Sequence, residues 1–82
     1  MCQIISKRIN AADMKLEYKL YVKLRLDGNI AYNIQVRNGT ETAVLLHVAH
    51  SYKLARELFD MLVNGLVTPI TAFDILDDWL LR

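Results

Sequence analysis

Apolar and polar side chains alternate strictly over residues 14–26, MKLEYKLYVKLRL. Successive side chains of a β-strand point to opposite faces of its sheet, so this alternation predicts one long strand with an apolar and a polar face. The rest of the chain is expected to cover the apolar face. That face carries Met14, Leu16, Tyr18, Leu20, Val22, Leu24 and Leu26.

A turn signal, D-G-N at residues 27–29, separates this run from a second alternating run over residues 30–37. A glycine-containing turn between two alternating runs predicts a hairpin, here with Leu26 opposite Ile30. This pairing leaves residues 14–18 projecting past the end of the second strand. Such an overhang has unpaired backbone groups, which residues 3–9 or another copy of the chain are expected to pair.

A second turn signal, Asn38-Gly39, precedes a third strand over residues 40–49. We expect a three-residue loop that ends in Gly39, because glycine readily takes the left-handed conformation of that position. This register directs Val44, Leu46 and Val48 towards the core. A two-residue turn would instead direct Ala43, Leu45 and His47 inwards, since a slip of one residue reverses the faces of a strand.

The period of the apolar residues changes from two to 3.6 after Ser51, which is a favourable helix N-cap. The helix is expected to end at Asn64-Gly65, with Gly65 in the left-handed conformation that often follows a helix. Its apolar stripe comprises Tyr52, Ala55, Leu58, Phe59, Leu62 and Val63.

Thr68-Pro69 predicts the start of a second helix, because threonine is a favourable N-cap and proline is preferred at the first helical position. The pattern predicts a helix over residues 69–81 that is apolar on almost every side. A helix that contacts only one sheet usually has a wider polar side. This helix is therefore expected between other elements or against another subunit.

These elements predict an α+β fold, an antiparallel meander of three strands followed by two α-helices packed on one face. A fourth strand is added if the N-terminal segment pairs with the overhang. Residues 1–82 are expected to form a single β-β-β-α-α domain, in which residues 1–13 are either a short extra strand or disordered.

Hydrophobic residues make up 54% of the 82 residues, a surplus that predicts a dense core or a subunit interface. The net charge of +1 excludes a strong overall field that would attract nucleic acid or a membrane. The charge is uneven, however. Residues 1–50 contain seven Lys or Arg and four Asp or Glu, whereas residues 51–82 contain three and five.

Cys2 is the only cysteine, which excludes an internal disulfide and is typical of the reducing cytoplasm. Polar residues interrupt the N-terminus where a signal peptide has its apolar segment, and no apolar run approaches the roughly 18 residues that span a bilayer. We therefore expect a cytoplasmic protein that does not bind membranes.

Two segments resemble a known family. They are YKLYVKLRLDGNIAYNIQVRNG, residues 18–39, and VTPITAFDILDDWL, residues 67–80. Together they are similar to small uncharacterised proteins of clostridia and related Firmicutes, grouped as a domain of unknown function. In that family a D-G turn leads into a Y-x-I-x-V strand, and a V-x-P-I segment precedes an acidic C-terminal helix. The resemblance implies no activity.

The acidic residues of the second predicted helix form the first candidate site. Asp74 and Asp78 lie on one face, with Asp77 beside them and Trp79 next in the chain. Such a face is either solvated or docks a basic partner. A calcium or magnesium site is disfavoured, because these ions usually recruit further oxygen ligands from a loop.

The polar face of the predicted sheet forms the second candidate site, with Lys15, Lys19, Tyr21, Lys23, Arg25 and Arg37. Basic side chains around an aromatic residue on a sheet are chemically similar to a platform for single-stranded nucleic acid. Tyr21 is the only aromatic residue among them, and Glu17 and Glu41 reduce the positive charge. A solvated face or a protein contact is therefore favoured over nucleic acid.

No catalytic, cofactor or metal site is predicted. His47 and His50 have neither the spacing nor the neighbouring ligands of a zinc site. No nucleophile has a recognisable base and orienting group, and the glycines are explained by turns and a helix end. We expect a non-enzymatic interaction or regulatory domain that forms a homodimer or binds another protein, and no small-molecule ligand.

Overall fold

The computed structural model describes residues 2–11 and 13–81. Four strands precede two helices: β1 Cys2–Ala11, β2 Met14–Leu24, β3 Ile30–Asn38, β4 Glu41–Leu45, α1 Tyr52–Asn64 and α2 Pro69–Leu80. The strands form one antiparallel sheet in the order β1-β2-β3-β4. The predicted α+β meander is confirmed, and the fourth strand that the sequence allowed is present as β1.

Strand β1 pairs with β2 along its whole length, from Cys2 opposite Val22 to Ala11 opposite Met14. The expected overhang of residues 14–18 past the second strand is wrong, because Leu16, Glu17 and Tyr18 lie opposite Asn38, Arg37 and Val36 of β3. Strand β1 pairs with the other edge of β2. Ile5 and Ile9 are half-buried and pack against the hydrophobic core, so β1 contributes side chains as well as backbone hydrogen bonds to the fold.

The turn of the first hairpin lies one residue earlier in the chain than expected. Leu24, not Leu26, lies opposite Ile30. The Arg25 amide donates to the Asn29 carbonyl oxygen at 2.7 Å, and the Gly28 amide donates to the Arg25 carbonyl oxygen at 3.0 Å. Gly28, with φ 87°, is thus the last residue of a three-residue loop, the position that requires a left-handed conformation. The resulting register shift of two residues leaves the faces of both strands unchanged.

The second hairpin contradicts the expected register, and its faces are reversed. Asn38 lies opposite Glu41, so the loop contains two residues, Gly39 and Thr40. Gly39 has φ 60° and takes the first of these positions. Ala43 and Leu45 are consequently buried, whereas Val44 and Leu46 are 47% and 60% exposed.

The strand β4 also ends earlier than predicted. His47 is exposed and has φ 54°, an unusual value for a residue other than glycine. The amide of Val48 donates to the carbonyl oxygen of Tyr32 at 3.0 Å, which brings the chain back to the sheet. Val48 is therefore buried as expected, but through this irregular segment and not through a continuous strand.

The core lies between one face of the sheet and the two helices. α1 packs over β2 and β3, and α2 packs over β3 and β4. Leu16, Tyr18 and Leu20 are buried as predicted, but Leu24 and Leu26 are 72% and 110% exposed. An eleven-residue strand is about 36 Å long, whereas a thirteen-residue helix is about 20 Å long, so the helices cannot cover the hairpin tip.

The predicted α1 is confirmed, including its N-cap, because the Leu54 amide donates to Ser51 Oγ at 3.3 Å. The predicted stripe faces the core except for Tyr52, which is exposed at the first turn. Gly65 was wrongly expected to be left-handed, since its φ is −85° and Leu66 instead has φ 50°.

α2 begins as predicted, with Thr68 as N-cap and Pro69 at the first helical position, and ends at Leu80. The amides of Thr71 and Ala72 both donate to the Thr68 carbonyl oxygen, while the Thr68 side chain makes no capping bond. Only part of this helix is covered. Pro69, Ala72 and Leu76 are buried, and the opposite side is open.

Candidate functional site

The open side of α2 combines apolar and acidic side chains. Ile70, Phe73 and Leu80 are 68%, 50% and 59% exposed. Because Phe73 and Leu80 are seven residues apart, they lie on the same side of the helix, and Ile70 is one turn before Phe73. We call these three residues the α2 flank. Single exposed apolar residues are ordinary, but a row of them along one helix is typical of a surface that contacts another protein.

The predicted docking residues do not all lie together. Asp74, Asp77 and Asp78 are exposed on the solvent side of α2, whereas Trp79 is half-buried against the core. The three carboxylates therefore lie on one exposed surface, whereas the Trp79 side chain packs against the core. Adjacent residues of an α-helix, such as Asp78 and Trp79, point about 100° apart. They therefore lie on different sides of α2 although they are neighbours in the chain.

Trp79 lines a cavity of about 500 Å³ at the junction between the two helices and the segment that precedes α1. The other lining residues are His47, Val48, Ala49, His50, Leu54 and Leu80. Leu54 is 46% exposed, and Met61, two helical turns later on the same side of α1, is 42% exposed. Ile75 lies one turn before Trp79 and is also half-buried against the core.

We call this surface the interhelical groove. Its cavity brings Leu54 and Trp79 together, and Met61 on α1 and Ile75 on α2 continue the same helix faces from these two residues. Its solvent side is acidic. Glu57 is one turn from both Leu54 and Met61 and is exposed, and the exposed Asp74 and Asp78 follow the outer side of α2. The helices α1 and α2 together carry five carboxylates and two basic side chains.

The basic face lies on the side of the sheet opposite the helices. The alternation of β2 and β3 places Lys15, Lys19, Tyr21, Lys23 and Arg37 there, as predicted. Arg25 follows the last residue of β2, and its guanidinium lies 3.7 Å from the Asp27 carboxylate. Strand β1 adds Arg8, which lies opposite Glu17. The sequence of β1 does not alternate strictly, so its pattern could not show the face of Arg8.

Glu17 is the carboxylate at the centre of this basic face. It accepts a hydrogen bond from Arg8 Nε at 2.9 Å and lies 3.3 Å from Lys19 Nζ. Partial burial raises the pKa of the Glu17 carboxyl, but the bonds from Lys19 and Arg8 outweigh burial and hold its pKa below the ordinary value of 4.5. Tyr21 is engaged as well, since its hydroxyl donates to Gln35 Oε1 at 2.9 Å.

Asn33 is a structural residue, although the alternation of β3 places it on the polar face of the sheet. It is only 2% exposed, and its Oδ1 accepts a hydrogen bond from the His47 amide at 2.9 Å. This bond stabilises the left-handed conformation of His47, and His47 in turn lines the cavity beside Trp79. The alternation of polar residues could not reveal this role, because it depends on where β4 ends.

The described residues, 2–11 and 13–81, contain no group of three or more His, Cys, Asp or Glu side chains placed to hold a metal ion. Neither α1 nor α2 has the length and hydropathy of a membrane-spanning helix, and no other described segment is helical.

Comparison with protein-family models matches residues 2–82 to a family of unknown function, DUF6514. No curated protein gives a significant match, and no solved structure does either.

Proposed function

The chain belongs to the family of unknown function DUF6514, and on that premise we propose that it is a small non-enzymatic protein-interaction domain. The observation that carries the proposal is the incomplete cover of α2, whose open side presents Ile70, Phe73 and Leu80 to solvent. Burying such side chains contributes roughly 25 cal/mol for each Å² of apolar area removed from water. The narrower resemblance to proteins of clostridia and related Firmicutes is part of the same proposal.

The character of the cavity supports a non-enzymatic role. Its wall is mainly apolar, and the two histidines that line it, His47 and His50, have no carboxylate or nucleophile among the other lining residues. A catalytic site needs a nucleophile or a proton-transferring pair held by an orienting group. The cavity resembles a slot for an apolar side chain more than a site for chemistry.

A second copy of the chain is the first partner that we propose, and the homodimer would form through the α2 flank. A two-fold axis beside α2 would pack the flank of one copy against the same flank of the other and remove Ile70 and Phe73 of both from water. The overhang of β2, which first suggested a dimer, does not support it, because residues 16–18 pair with β3 and β1 covers the other edge of β2. The exposed flank supports it instead.

Sedimentation velocity from micromolar to millimolar concentration tests the homodimer. We expect the native chain to self-associate and the double variant Ile70→Ser/Phe73→Ser to remain monomeric. Leu24→Ser/Leu26→Ser is the matched control, since it removes apolar side chains at the hairpin tip that are more exposed than Ile70 and Phe73. A native chain that stays monomeric throughout this range would overturn the homodimer.

Affinity capture from the native cell tests the wider proposal. A partner that is recovered with the native chain and the hairpin-tip control, but is lost with variants of the α2 flank or the interhelical groove, would support an interaction domain. If no protein is lost selectively and no self-association is seen, the proposed function is wrong.

Nucleic-acid binding is a second candidate, favoured by the position of Arg8 beside Lys15, Lys19, Lys23 and Arg37 on an open sheet face. Cations on one face attract phosphates, and their contribution weakens steeply with salt. Lys19→Glu/Lys23→Glu should abolish binding of single-stranded RNA or DNA at low salt, whereas Lys53→Glu on α1 should not. Unchanged binding, or no binding by the native chain, would exclude this candidate.

A further inference from the structure

We propose that the interhelical groove binds a basic amphipathic helix of a partner protein. This inference rests on the proposed interaction function and names a second site within it, which adjoins the α2 flank at Leu80. The carrying observation is the combination of a cavity of about 500 Å³ beside Trp79, an exposed apolar row along α1 and an acidic outer margin.

The spacing of the groove suits a helix. Leu54 and Met61 are seven residues apart, so their Cα atoms are separated by about 10.5 Å along α1. An amphipathic helix that lies in a groove presents anchors at i, i+3 or i+4, and i+7, which cover the same distance. Leu58, which lies between them in the sequence, is fully buried and belongs to the core beneath α1.

The cavity at the Leu54 end provides a slot for one large anchor. Its volume is within the range of about 300–1,000 Å³ found for protein pockets that take up small molecules or side chains. Trp79, Leu54 and Val48 supply apolar walls. Apolar anchors in desolvated pockets at the centre of an interface typically contribute most of its affinity.

The charges beside the groove indicate which kind of partner helix would bind there. Glu57 on α1 and the pair Asp74 and Asp78 on α2 lie beside the apolar rows, and all three side chains are exposed. Arg56, one of the two basic residues of α1, is bound to Asp60 at 3.0 Å. A partner with lysine or arginine around its apolar stripe would meet opposite charges on both sides of the groove.

The same charges disfavour the other occupants of the groove. A second copy that used this surface would bring its own Glu57, Asp74 and Asp78 against these carboxylates, and like charges in apposition are unfavourable. A nucleic acid would meet the same repulsion through its phosphates. The groove therefore differs in partner class from both the α2 flank and the basic sheet face.

A designed peptide pair tests the inference directly. The probe is an amphipathic helix of leucine and lysine with leucine at i, i+3, i+4 and i+7, and its control has glutamate at every lysine position. Trp79 is the only tryptophan of the chain and lines the cavity, so its fluorescence reports occupancy. We expect saturable one-to-one binding of the lysine peptide, weakening as salt is raised, and no binding of the glutamate peptide.

Variants locate the binding. Leu54→Ser/Met61→Ser should weaken the lysine peptide about tenfold or more, as expected when interface anchors are removed. Asp74→Asn/Asp78→Asn should weaken it several-fold and reduce its salt dependence, and these exposed positions should not affect folding. Leu26→Ser/Asp27→Asn at the hairpin tip is the matched control and should leave the affinity unchanged.

Three results would overturn the inference: no binding of the lysine peptide, equal binding of the glutamate peptide, or equal weakening by the hairpin-tip control. If self-association that depends on Ile70 and Phe73 persists in such a case, the interaction function stands and only the basic helix as partner is wrong. Circular dichroism of each variant ensures that lost binding does not merely report unfolding.

Discussion

Leu66 has a backbone conformation that leucine rarely adopts, and it ends helix α1. The Val67 amide donates to the Leu62 carbonyl oxygen and the Leu66 amide to that of Val63, both at 3.1 Å. These are the two hydrogen bonds of a Schellman motif, in which the left-handed position usually belongs to glycine. The neighbouring Gly65 has another reason to be glycine, because an added Cβ would lie 3.2 Å from the Met61 carbonyl oxygen.

We therefore predict that Leu66→Gly stabilises the protein relative to Leu66→Ala by about 1 kcal/mol. Both variants remove the exposed leucine side chain, but only glycine removes the Cβ that disfavours a φ of 50°. Chemical denaturation of the two variants measures the difference. Equal midpoints and slopes would contradict this account of the helix end.

Tyr18 connects the centre of the sheet to the segment between the two helices. Its side chain is fully buried, and its hydroxyl donates to the Val67 carbonyl oxygen at 2.8 Å. Burial raises the pKa of the phenol, so the neutral donor form is maintained. The sequence placed Tyr18 in the core, but a pattern of apolar residues cannot identify the acceptor of its hydroxyl.

Tyr18→Phe should lower the free energy of unfolding by about 1–2 kcal/mol, because the Val67 carbonyl loses its partner in a partly buried place. Tyr21→Phe is the matched control. Its hydroxyl binds Gln35 on the open face of the sheet, where water can replace it, so the loss should be smaller. Thermal or urea unfolding of both variants provides the comparison, and a larger effect at Tyr21 would contradict it.

At the scale of elements, β1 is the strand that the sequence described least well. Its residues Cys2–Ala11 show no strict alternation, and its register contains an irregularity between Gln3 and Ile5. Its position is determined by β2, which offers eleven residues of backbone to a neighbour on that side. Pairing with another strand satisfies those groups, and this requirement outweighs the weak local pattern.

If β1 is part of the folded core, Ile9→Ala should cost about 1–2 kcal/mol of stability, less than a fully buried isoleucine because the side chain is half-buried. Ile4→Ala is the control in the same strand, since Ile4 is exposed at the irregular part of the register. Unfolding experiments that find equal and negligible effects would indicate that β1 contributes little to stability.

The two hairpins show how the length of a loop determines which side chains of the next strand face the core. Each loop contains a glycine with positive φ, at Gly28 and at Gly39. In the first loop the glycine comes last of three residues, and in the second it comes first of two. Both arrangements are compatible with a glycine in the turn, so the sequence did not distinguish them. Only the second choice changed which side chains of the next strand reach the core.

At the scale of the whole molecule, the difference in length between sheet and helices divides the apolar face of β2 into a covered and an uncovered part. Leu20 lies under the helices and is fully buried, whereas Leu24 lies beyond them and is largely exposed. We predict that Leu20→Ala lowers stability by about 2–5 kcal/mol and that Leu24→Ala changes it by no more than about 0.5 kcal/mol. Denaturant midpoints measure both, and similar losses would mean that something covers the tip.

The distribution of charge is also a property of the whole molecule. The basic residues of the strands and the acidic residues of the helices lie on opposite sides of the sheet, although the net charge is only +1. The sequence showed an imbalance between its two parts, and the fold converts this imbalance into two faces. The two faces underlie the two classes of partner proposed above.

The sequence alone determined the local structure: the alternation that forms β2 and β3, the capped starts of α1 and α2, and the meander order that short connections impose. These features depend on contacts between near neighbours in the chain. Tertiary structure alone decided the faces of β4, the partner of β1, the left-handed residue after α1 and the grouping of Leu54 with Trp79. The partner of β1 and the grouping of Leu54 with Trp79 depend on residues far apart in sequence. The faces of β4 and the left-handed residue after α1 depend on loop and helix-end geometries of which the local sequence allows more than one, and the packing of strands and helices selects among them.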